Sequence, residues 1–308
     1  MAAQSSSFTA RLAHGLRRYR YVYIMAIPVI LYYALFMYLP MYGAQIAFKV
    51  YSPGKGIVGS QWVGLSHFVK FFSSYYFARL IRNTLLISLY SLLFSFPAPI
   101  LLALLLNELR SASFKRCVQT VSYLPHFIST MVICGMIIDF TRSDGLINDV
   151  LAIFGGTRET MLLNPARFRS IYIISDIWQG VGWGSIIYLS ALTGIDQQLY
   201  EAAVIDGAGR FQQMLHVTLP GIAPTVVIML ILRIGQMMSV GYEKIILLYN
   251  GNTYETADVI SSFVYRKGLI EANQGYSTAV GLFNSFINLL LILSANTISR
   301  RVSDTSLW

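Results

Sequence analysis

Polar and charged residues interrupt a long aliphatic stretch in the C-terminal half of the sequence. The candidates are Arg233, Gln236, Ser239, Tyr242 and Glu243. In a helix, Arg233 and Gln236 share one face, which Val240 and Glu243 would extend. Polar groups are costly in a membrane-spanning segment, so this stripe marks a candidate path for a polar cargo. An internal ion pair, between Arg233 and either Asp176 or Glu243, is an equally open interpretation.

Other kinds of chemistry find little support. Ser185 lies in GWGSI, which is not the nucleophile motif G-x-S-x-G, and His126 has no evident partner for catalysis. The two cysteines, Cys117 and Cys134, have no metal-ligand spacing, and a bridge along one helix is sterically excluded. We therefore expect no catalytic residue, no metal site and two small buried thiols.

A polar segment at residues 194–221 has its own helical pattern, which is unusual for a simple connection. Asp196 is a good N-cap for a short helix starting at Gln197. Gly207 supplies the positive φ that ends helices. A second short helix from Arg210 should end near Val217, because proline follows at Leu219-Pro220. The segment predicts a helix, a turn and a helix that together form a docking element. A helix pair lying on lipid headgroups is the weaker alternative, since the segment is rich in acids.

The elements that must position these residues are membrane helices. Apolar residues make up 55% of the 308-residue chain and charged residues only 12%, and the apolar runs are near the ~20 residues that cross a bilayer. This composition predicts an all-α membrane protein with six transmembrane helices. The predicted spans are Tyr21–Pro40, Asn83–Leu106, Val118–Phe140, Ile171–Leu192, Ile222–Leu248 and Tyr276–Ile298.

Basic residues orient the predicted helices. Lys and Arg are divided almost evenly between the two sides, but their positions differ: one cluster (residues 11–20) precedes the first helix, and Arg300 and Arg301 follow the last. Charges next to helix ends carry most of the orienting weight, so both termini are predicted to be cytoplasmic. The net charge of +9 then serves the lipid interface, and no nucleic-acid partner is required.

Several segments together resemble a known family. The loop contains Glu201-Ala202-Ala203 followed by Asp206-Gly207-Ala208, which is similar to the EAA loop of permease subunits in ATP-binding cassette (ABC) sugar and oligosaccharide importers. The match is closest to the polysaccharide-transport, lipoprotein-associated branch of the maltose-type group. The segments that carry it are YLPMYGAQIAFKVYSPGKG (38–56), FKRCVQTVSYLPHFIS (114–129), SDIWQGVGWGSIIYLSALTGID (175–196) and the C-terminal Ser306-Leu307-Trp308.

This resemblance implies a type I importer permease fold in the bacterial cytoplasmic (inner) membrane. It implies a coupling helix, with Glu201, Ala202, Ala203, Asp206, Gly207 and Ala208 contacting an ATPase. The implied partners are a second permease (giving a heterodimer), two ATP-binding cassette subunits, an extracytoplasmic solute-binding protein and the lipid bilayer. The chain has no G-x-x-x-x-G-K-[ST] phosphate loop, so ATP and Mg²⁺ should bind to the separate subunits and no cofactor to this chain.

The implied cargo is an oligosaccharide, including acidic uronate types such as alginate fragments. Sugar rings bind aromatic faces and hydrogen-bonding side chains, so Gln179, Trp183 and Asn284 join the candidates for the substrate path. The glycines at 180, 182 and 184 could give room for a ligand or allow close helix packing. For Trp178 and Trp183 a membrane-interface or packing role is favoured over a cargo contact, and Asn284 and Asn288 favour helix joining. His126 favours a structural role, because Pro125 makes a break in the helix whose freed backbone groups need partners.

The predicted organisation is a cytoplasmic tail (1–20), a six-helix permease domain (21–298) containing the coupling loop (194–221), and a second cytoplasmic tail (299–308). The predicted function is alternating-access import driven by partner ATPases. An ion-coupled secondary transporter is the alternative, with Asp139, Asp176 or Glu243 carrying protons. That alternative leaves the polar loop unexplained.

Overall fold

The computed structural model describes residues 18–302 and Ser306. Most of the predicted N-terminal tail, together with Leu307 and Trp308, lies outside the described residues. Within them the chain is helical apart from a two-stranded antiparallel hairpin, β1 (Lys49–Val50) with β2 (Gln61–Trp62), in which Lys49 pairs with Trp62. The predicted all-α class is confirmed.

The helices follow one another with short connections. In chain order they are α1 (Arg20–Phe48), α2 (Gly56–Gly59), α3 (Ser66–Phe72), α4 (Tyr76–Glu108), α5 (Ala112–Phe127), α6 (Thr130–Thr141), α7 (Leu146–Ile153), α8 (Pro165–Thr193), α9 (Gln197–Ile205), α10 (Arg210–Gly235), α11 (Tyr242–Leu248), α12 (Tyr254–Ala257), α13 (Ile260–Tyr265) and α14 (Gln274–Val302). Single π-helical turns lie within α1, α4 and α10, and another follows α13.

Among the described residues, four helices are long and apolar enough to cross a membrane, namely α1, α4, α10 and α14. The bent helices beginning at Ala112 and Thr130 give a fifth if they form one span. Helix α8 has 29 residues and is therefore about 43 Å long at ~1.5 Å per residue, but Arg167, Arg169 and Asp176 make it more polar. Six spans with cytoplasmic termini stay a prediction.

The predicted third span, Val118–Phe140, is wrong as a single helix. Helix α5 ends at Phe127 and the next helix begins at Thr130, with an angle of 101° between the two. Pro125 has no N–H for an intrahelical bond, and Ser129 caps the new helix by accepting from the Val132 amide at 3.4 Å. The hydropathy along the sequence does not change at the break between the two helices, whereas the direction of the helix axis does.

The predicted fifth span, Ile222–Leu248, is also wrong as one helix. Helix α10 ends at Gly235 and α11 begins at Tyr242. Asn288 of α14 bridges the break: its side-chain oxygen accepts from the Met238 amide at 2.9 Å, and its amide nitrogen donates to the Ser239 hydroxyl at 2.8 Å. Such partners are what allow irregular backbone inside a membrane protein. Asn288 therefore joins helices, as its sequence context suggested.

Helices α4 and α8 form the centre of the fold. Buried residues of α4 occur in all three hydrophobic clusters, and α8 contributes to two of them. One cluster places Ile87 of α4 and Phe168 of α8 against Ile245 of α11. By contrast, residues 20–42 of α1 include no buried residue, so the apolar side chains of this part face away from the rest of the chain, whereas Ala47 near its end is fully buried.

Candidate functional site

A central cavity lies where α4, α8 and the break after α10 meet. Its volume is about 280 Å³, and a neighbouring cavity of about 450 Å³ shares Asp176, Arg233 and Gln236 with it. The lining of the first cavity is Ile87, Ser88, Ser91, Leu92, Tyr172, Asp176, Arg233, Gln236, Met237, Ser239, Val240 and Gly241. Hydroxyl, amide and charged groups thus converge between helices that are otherwise largely apolar.

Arg233 is the main cation of this cavity. Its guanidinium donates a hydrogen bond to the Ser91 hydroxyl. The Asp176 carboxylate lies 4.0 Å from the Arg233 Nη2 atom, and the two side chains are 46% and 36% exposed. The ion pair suggested by the sequence is therefore present with Asp176, but it is long and open. Arg233 keeps donors that face the cavity and can hold a ligand carboxylate or hydroxyl.

Local chain geometry creates the cavity. Ser91 begins a π-helical turn, Ser91–Ser95, in which the Phe96 amide reaches back to the Ser91 carbonyl at 3.0 Å. Pro97 follows at once and cannot donate to a regular helical bond. Such single π turns occur frequently at functional sites. Here the wide turn brings Ser91 to the guanidinium of a residue 142 positions later in the chain.

The three glycines of α8 have two different uses. A Cβ at Gly180 would meet no atom within 4 Å, and this glycine lines the larger cavity. A Cβ at Gly182 would collide with the Ser122 carbonyl oxygen, and one at Gly184 would lie 3.0 Å from Pro99. Gly182 and Gly184 thus allow close helix packing, which confirms that interpretation for these two positions. Gly180 borders open space, and a ligand at that position stays a prediction.

The structure brings only some predicted path residues together. Arg233, Gln236 and Ser239 line the first cavity. Tyr242 and Asn284 line a separate one of about 760 Å³, where Tyr242 stacks on Tyr265 with ring centroids 5.9 Å apart. The Asn284 side-chain oxygen is buried there without a hydrogen-bond partner among the described residues.

The remaining path candidates line none of these cavities. Trp183 instead stacks on His126, with ring centroids 4.6 Å apart and planes 3° from parallel. This contact supports packing roles for both residues. Glu243 is exposed at the start of α11, because the helix break at Gly235 ends the face that was expected to carry it. Gln179 is half-buried beside the cavity lining without belonging to it.

Sequence reasoning missed Lys244. Its side chain is buried, and the ammonium has no hydrogen-bond partner among the described residues. The ammonium lies 5.2 Å from the centre of the Tyr172 ring, and Tyr172 lines the central cavity. A lysine within the otherwise aliphatic run after Glu243 was the available signal. The cysteine expectation was half right: Cys134 is buried but Cys117 is exposed, and neither is bridged.

The sequence also did not predict a second charged cluster, which we call the Asp258 cluster. Asp258 is fully buried, and its carboxylate accepts from Arg266 at 2.7 and 3.2 Å and from Ser262 at 2.9 Å, with Arg79 at 3.6 Å. Burial alone would lower the pKa of Arg266, but the hydrogen bond and charge of Asp258 outweigh it and raise that pKa. Arg266 is therefore permanently charged here.

The polar loop has the predicted start and turn. Helix α9 runs from Gln197 to Ile205, and the Asp196 carboxylate caps it by accepting from the Gln198 amide at 3.0 Å. Gly207 has φ +78°, a conformation that costs other L-residues ~1–2 kcal/mol. The Ala208 amide then closes the turn on the Ala203 carbonyl at 2.8 Å.

The predicted end of the second helix at Leu219-Pro220 is wrong. The helix that begins at Arg210 continues through Pro220 to Gly235. A π-helical turn, Met214–Thr218, widens the helix before the proline and accommodates its missing N–H. The Tyr200 and Thr218 hydroxyls lie 3.0 Å apart and tie α9 to this continuous helix.

The surface of the loop is exposed and partly apolar. No residue of α9 is buried. The side chains of Leu199, Val204, Ile205 and Phe211 are 54, 60, 84 and 70% exposed. Ala202 is exposed and Ala203 is half-buried. A rigid element that presents apolar groups beside Glu201 and Asp206 is typical of a surface that another molecule covers.

Known proteins share this architecture. In Bacillus subtilis (strain 168), the polygalacturonan/rhamnogalacturonan transport system permease protein YteP is 44% identical over 97% of this chain and 93% of its own length. Protein LplB of the same organism is 44% identical over 96% of this chain and 93% of its own.

Solved structures agree. A bacterial alginate ABC transporter in complex with an alginate pentasaccharide-bound periplasmic protein contains a chain that is 45% identical, with a TM-score of 0.89 over 96% of this chain and 100% of that one. The family of binding-protein-dependent transport system inner membrane components matches residues 95–304. The chain is therefore a multi-pass permease component of an ABC importer, in the bacterial inner membrane, and belongs to this family.

Proposed function

We propose that the chain forms half of a path for an acidic oligosaccharide built from uronate residues. The observation that carries this proposal is Arg233, which is only loosely paired with Asp176 and faces a polar cavity within the bundle. A uronate offers both a carboxylate for the guanidinium and ring hydroxyls for Gln236 and Ser239. The polygalacturonan/rhamnogalacturonan and alginate systems named for its relatives carry cargo of this class.

The energy for transport would enter through the coupling loop at residues 194–221. Its proposed contacts with an ATPase are Glu201, Ala202, Ala203, Asp206, Gly207 and Ala208. A capped helix with a fixed glycine turn transmits a displacement, and the Tyr200–Thr218 contact passes it directly to the helix that carries Arg233. ATP and Mg²⁺ would bind to the partner ATPases, with no cofactor in this chain.

The proposed assembly contains two permeases and two ATP-binding cassette subunits. The apolar surface of α1 over residues 20–42, where no residue is buried, is suited to contact with lipid or with a second permease, and a heterodimer follows from the resemblance noted above. A solute-binding protein would deliver cargo to the outer segments between the helices. The permease domain is proposed to be residues 21–298, between cytoplasmic tails at 1–20 and 299–308.

The test is reconstitution of the complete complex. The chain is co-purified with the products of its neighbouring genes, placed in proteoliposomes and supplied with a binding protein loaded with trigalacturonate. We expect uptake that requires ATP inside the vesicles and ATP hydrolysis that the loaded binding protein stimulates. Uptake that follows an ion gradient without ATP would contradict the proposal and would favour a secondary transporter.

A further inference from the structure

Lys244 is a buried cation without a hydrogen-bond partner. The whole residue is only 6% exposed, and its ammonium group forms no hydrogen bond within the described part of the chain. Burying an ammonium is costly unless paired groups replace its water. The ring of Tyr172, 5.2 Å away, gives only a cation–π contact. A lysine kept for packing alone would be more stable as methionine, so its charge itself needs an explanation.

The other buried lysine of the fold shows what a structural role looks like. Lys49 is 9% exposed and lies 6.0 Å from the centre of the Trp62 ring, so it too has a cation–π contact. Its ammonium also donates to the Ile57 carbonyl at 2.6 Å, which fastens the outer hairpin. Lys244 has the ring but lacks the hydrogen bond. The difference points to a partner for Lys244 that belongs to another molecule.

The position of Lys244 indicates which molecule that is. Tyr172 contacts the Lys244 ammonium and also lines the central cavity. Arg233 and Asp176 line the same cavity and bring one charge of each sign to it. Lys244 then leaves this region with an excess positive charge. In a low-dielectric interior such a charge acts over the width of an aromatic ring with little screening.

We propose that Lys244 is a specificity-determining residue that makes the central cavity selective for an anionic ligand, the carboxylate of a uronate, over a neutral sugar of the same size. Arg233 would contact the carboxylate, and Lys244 would supply the compensating charge from behind Tyr172. This inference rests on the proposed function, since it concerns the same cavity and the same cargo.

The test compares two ligands of equal length and different charge. Binding of trigalacturonate and of its neutral methyl ester to the complete complex is measured by calorimetry, without ATP or binding protein. We expect Lys244→Met to weaken trigalacturonate binding about tenfold, which corresponds to ~1.4 kcal/mol. The methyl ester should bind with unchanged affinity, and Lys244→Arg should behave as wild type. Lys49→Met is the matched control and should leave the ratio of the two affinities unchanged.

Several outcomes would overturn the inference. They are equal weakening for both ligands in Lys244→Met, no change for either, or a wild-type complex that does not discriminate between them. If the methionine variant does not assemble, Lys244→Gln provides the same neutral comparison. Failure of the inference leaves ATP-driven uptake of trigalacturonate intact, whereas a wild-type complex that neither binds nor transports any oligosaccharide contradicts the proposed function itself.

Discussion

The Asp258 cluster and the central cavity both bury charge, but they satisfy it differently. In the Asp258 cluster one carboxylate accepts from Arg266 and Ser262 with Arg79 close by. In the cavity, Arg233 and Asp176 are 4.0 Å apart, and behind the cavity-lining Tyr172 the Lys244 ammonium has no hydrogen-bond partner among the described residues. Three hydrogen bonds hold the Asp258 carboxylate, although the Nε atom of Arg79 has no hydrogen-bond partner among the described residues. A densely bonded network favours one arrangement of the chain, while a loosely paired one can exchange partners. The first region therefore suits a structural role, and the second suits the ligand role proposed for it.

Connectivity supports this division. Asn83 of α4 donates to the carbonyl oxygens of Glu255 and Asp258 at 2.9 and 3.0 Å and accepts from Arg169 of α8 at 2.9 Å. The cluster therefore joins two central helices to the segment before α13. The cavity lies between the same two helices, next to a helix break. If the Asp258 cluster holds these helices together, the irregular segment between α10 and α11 can move while the helix bundle keeps its form.

The largest expected effect comes from breaking the cluster. Asp258→Ala would leave the partly buried Arg266 and Arg79 without the buried carboxylate that they face, and removing one partner of a buried ion pair typically costs ~3–5 kcal/mol. We expect loss of assembled complex, measured by thermal unfolding and gel filtration in detergent. Asp149→Ala is the control, because its ion pair with Arg158 is half exposed and should contribute less than ~1 kcal/mol. If Asp258→Ala is as stable as the wild type, the Asp258 cluster does not stabilise the fold.

The next effect concerns the connection between loop and cavity. Gly207→Trp forces a bulky side chain into a φ of +78° on the proposed docking surface. We expect uptake to fall to background while the protein stays inserted and the Asp258 cluster keeps its stability. Uptake and substrate-stimulated ATP hydrolysis are both measured in proteoliposomes. Gly43→Trp is the control, because a Cβ added at Gly43 meets no atom within 4 Å. Normal uptake by Gly207→Trp would exclude the coupling role.

A smaller loss is expected when the cavity loses its cation. Arg233→Met removes hydrogen bonds to a charged ligand, each worth ~1.5–3 kcal/mol, so uptake of trigalacturonate should fall about 10- to 100-fold. Thermal stability should change little, because Asp176 is partly exposed and can remain hydrated. If Arg233→Met instead destabilises the complex as much as Asp258→Ala and preserves uptake, the two regions do not differ in the way described.

The smallest effect should come from the helix break. Asn288→Ala removes the bonds to the Met238 amide and the Ser239 hydroxyl, at ~1 kcal/mol each. We expect a modest fall in the unfolding temperature and a few-fold change in uptake, since Ser239 lines the cavity. A variant with unaltered stability and unaltered uptake would show that the irregular segment needs no support from α14.

Features set by local chemistry were predictable from the sequence. The Asp196 cap and the Gly207 turn depend on neighbouring residues and on backbone angles that few residue types adopt. Pro125 also indicated a break near His126, which the structure places between Phe127 and Thr130, although not the 101° change of direction. The helix break after Gly235 was not predictable in the same way, since hydropathy sums over both sides of a break. At Gly235 the break also depends on Asn288, a residue from a distant helix.

The residues that line the cavity were likewise only partly predictable from the sequence. Arg233 and Asp176 were singled out because charge in an apolar run is conspicuous. Ser88 and Ser91, which also line the cavity, look like ordinary small residues of a membrane helix until the fold brings them to Arg233. The position of Lys244 behind Tyr172 likewise depends on the packing of α11 against α8. Partners from distant helices are a property of the fold.

Protection of a single cysteine by the substrate distinguishes a ligand cavity from a structural cluster. Gln236→Cys, in a complex whose permease lacks Cys117 and Cys134, places a thiol in the cavity, and Glu255→Cys places one beside the Asp258 cluster. Both are labelled with a membrane-impermeant maleimide during turnover with ATP and binding protein, with and without trigalacturonate. We expect the sugar to slow labelling at position 236 several-fold and to leave position 255 unchanged. Equal protection at both positions, or protection only at 255, would exclude a ligand role for the central cavity.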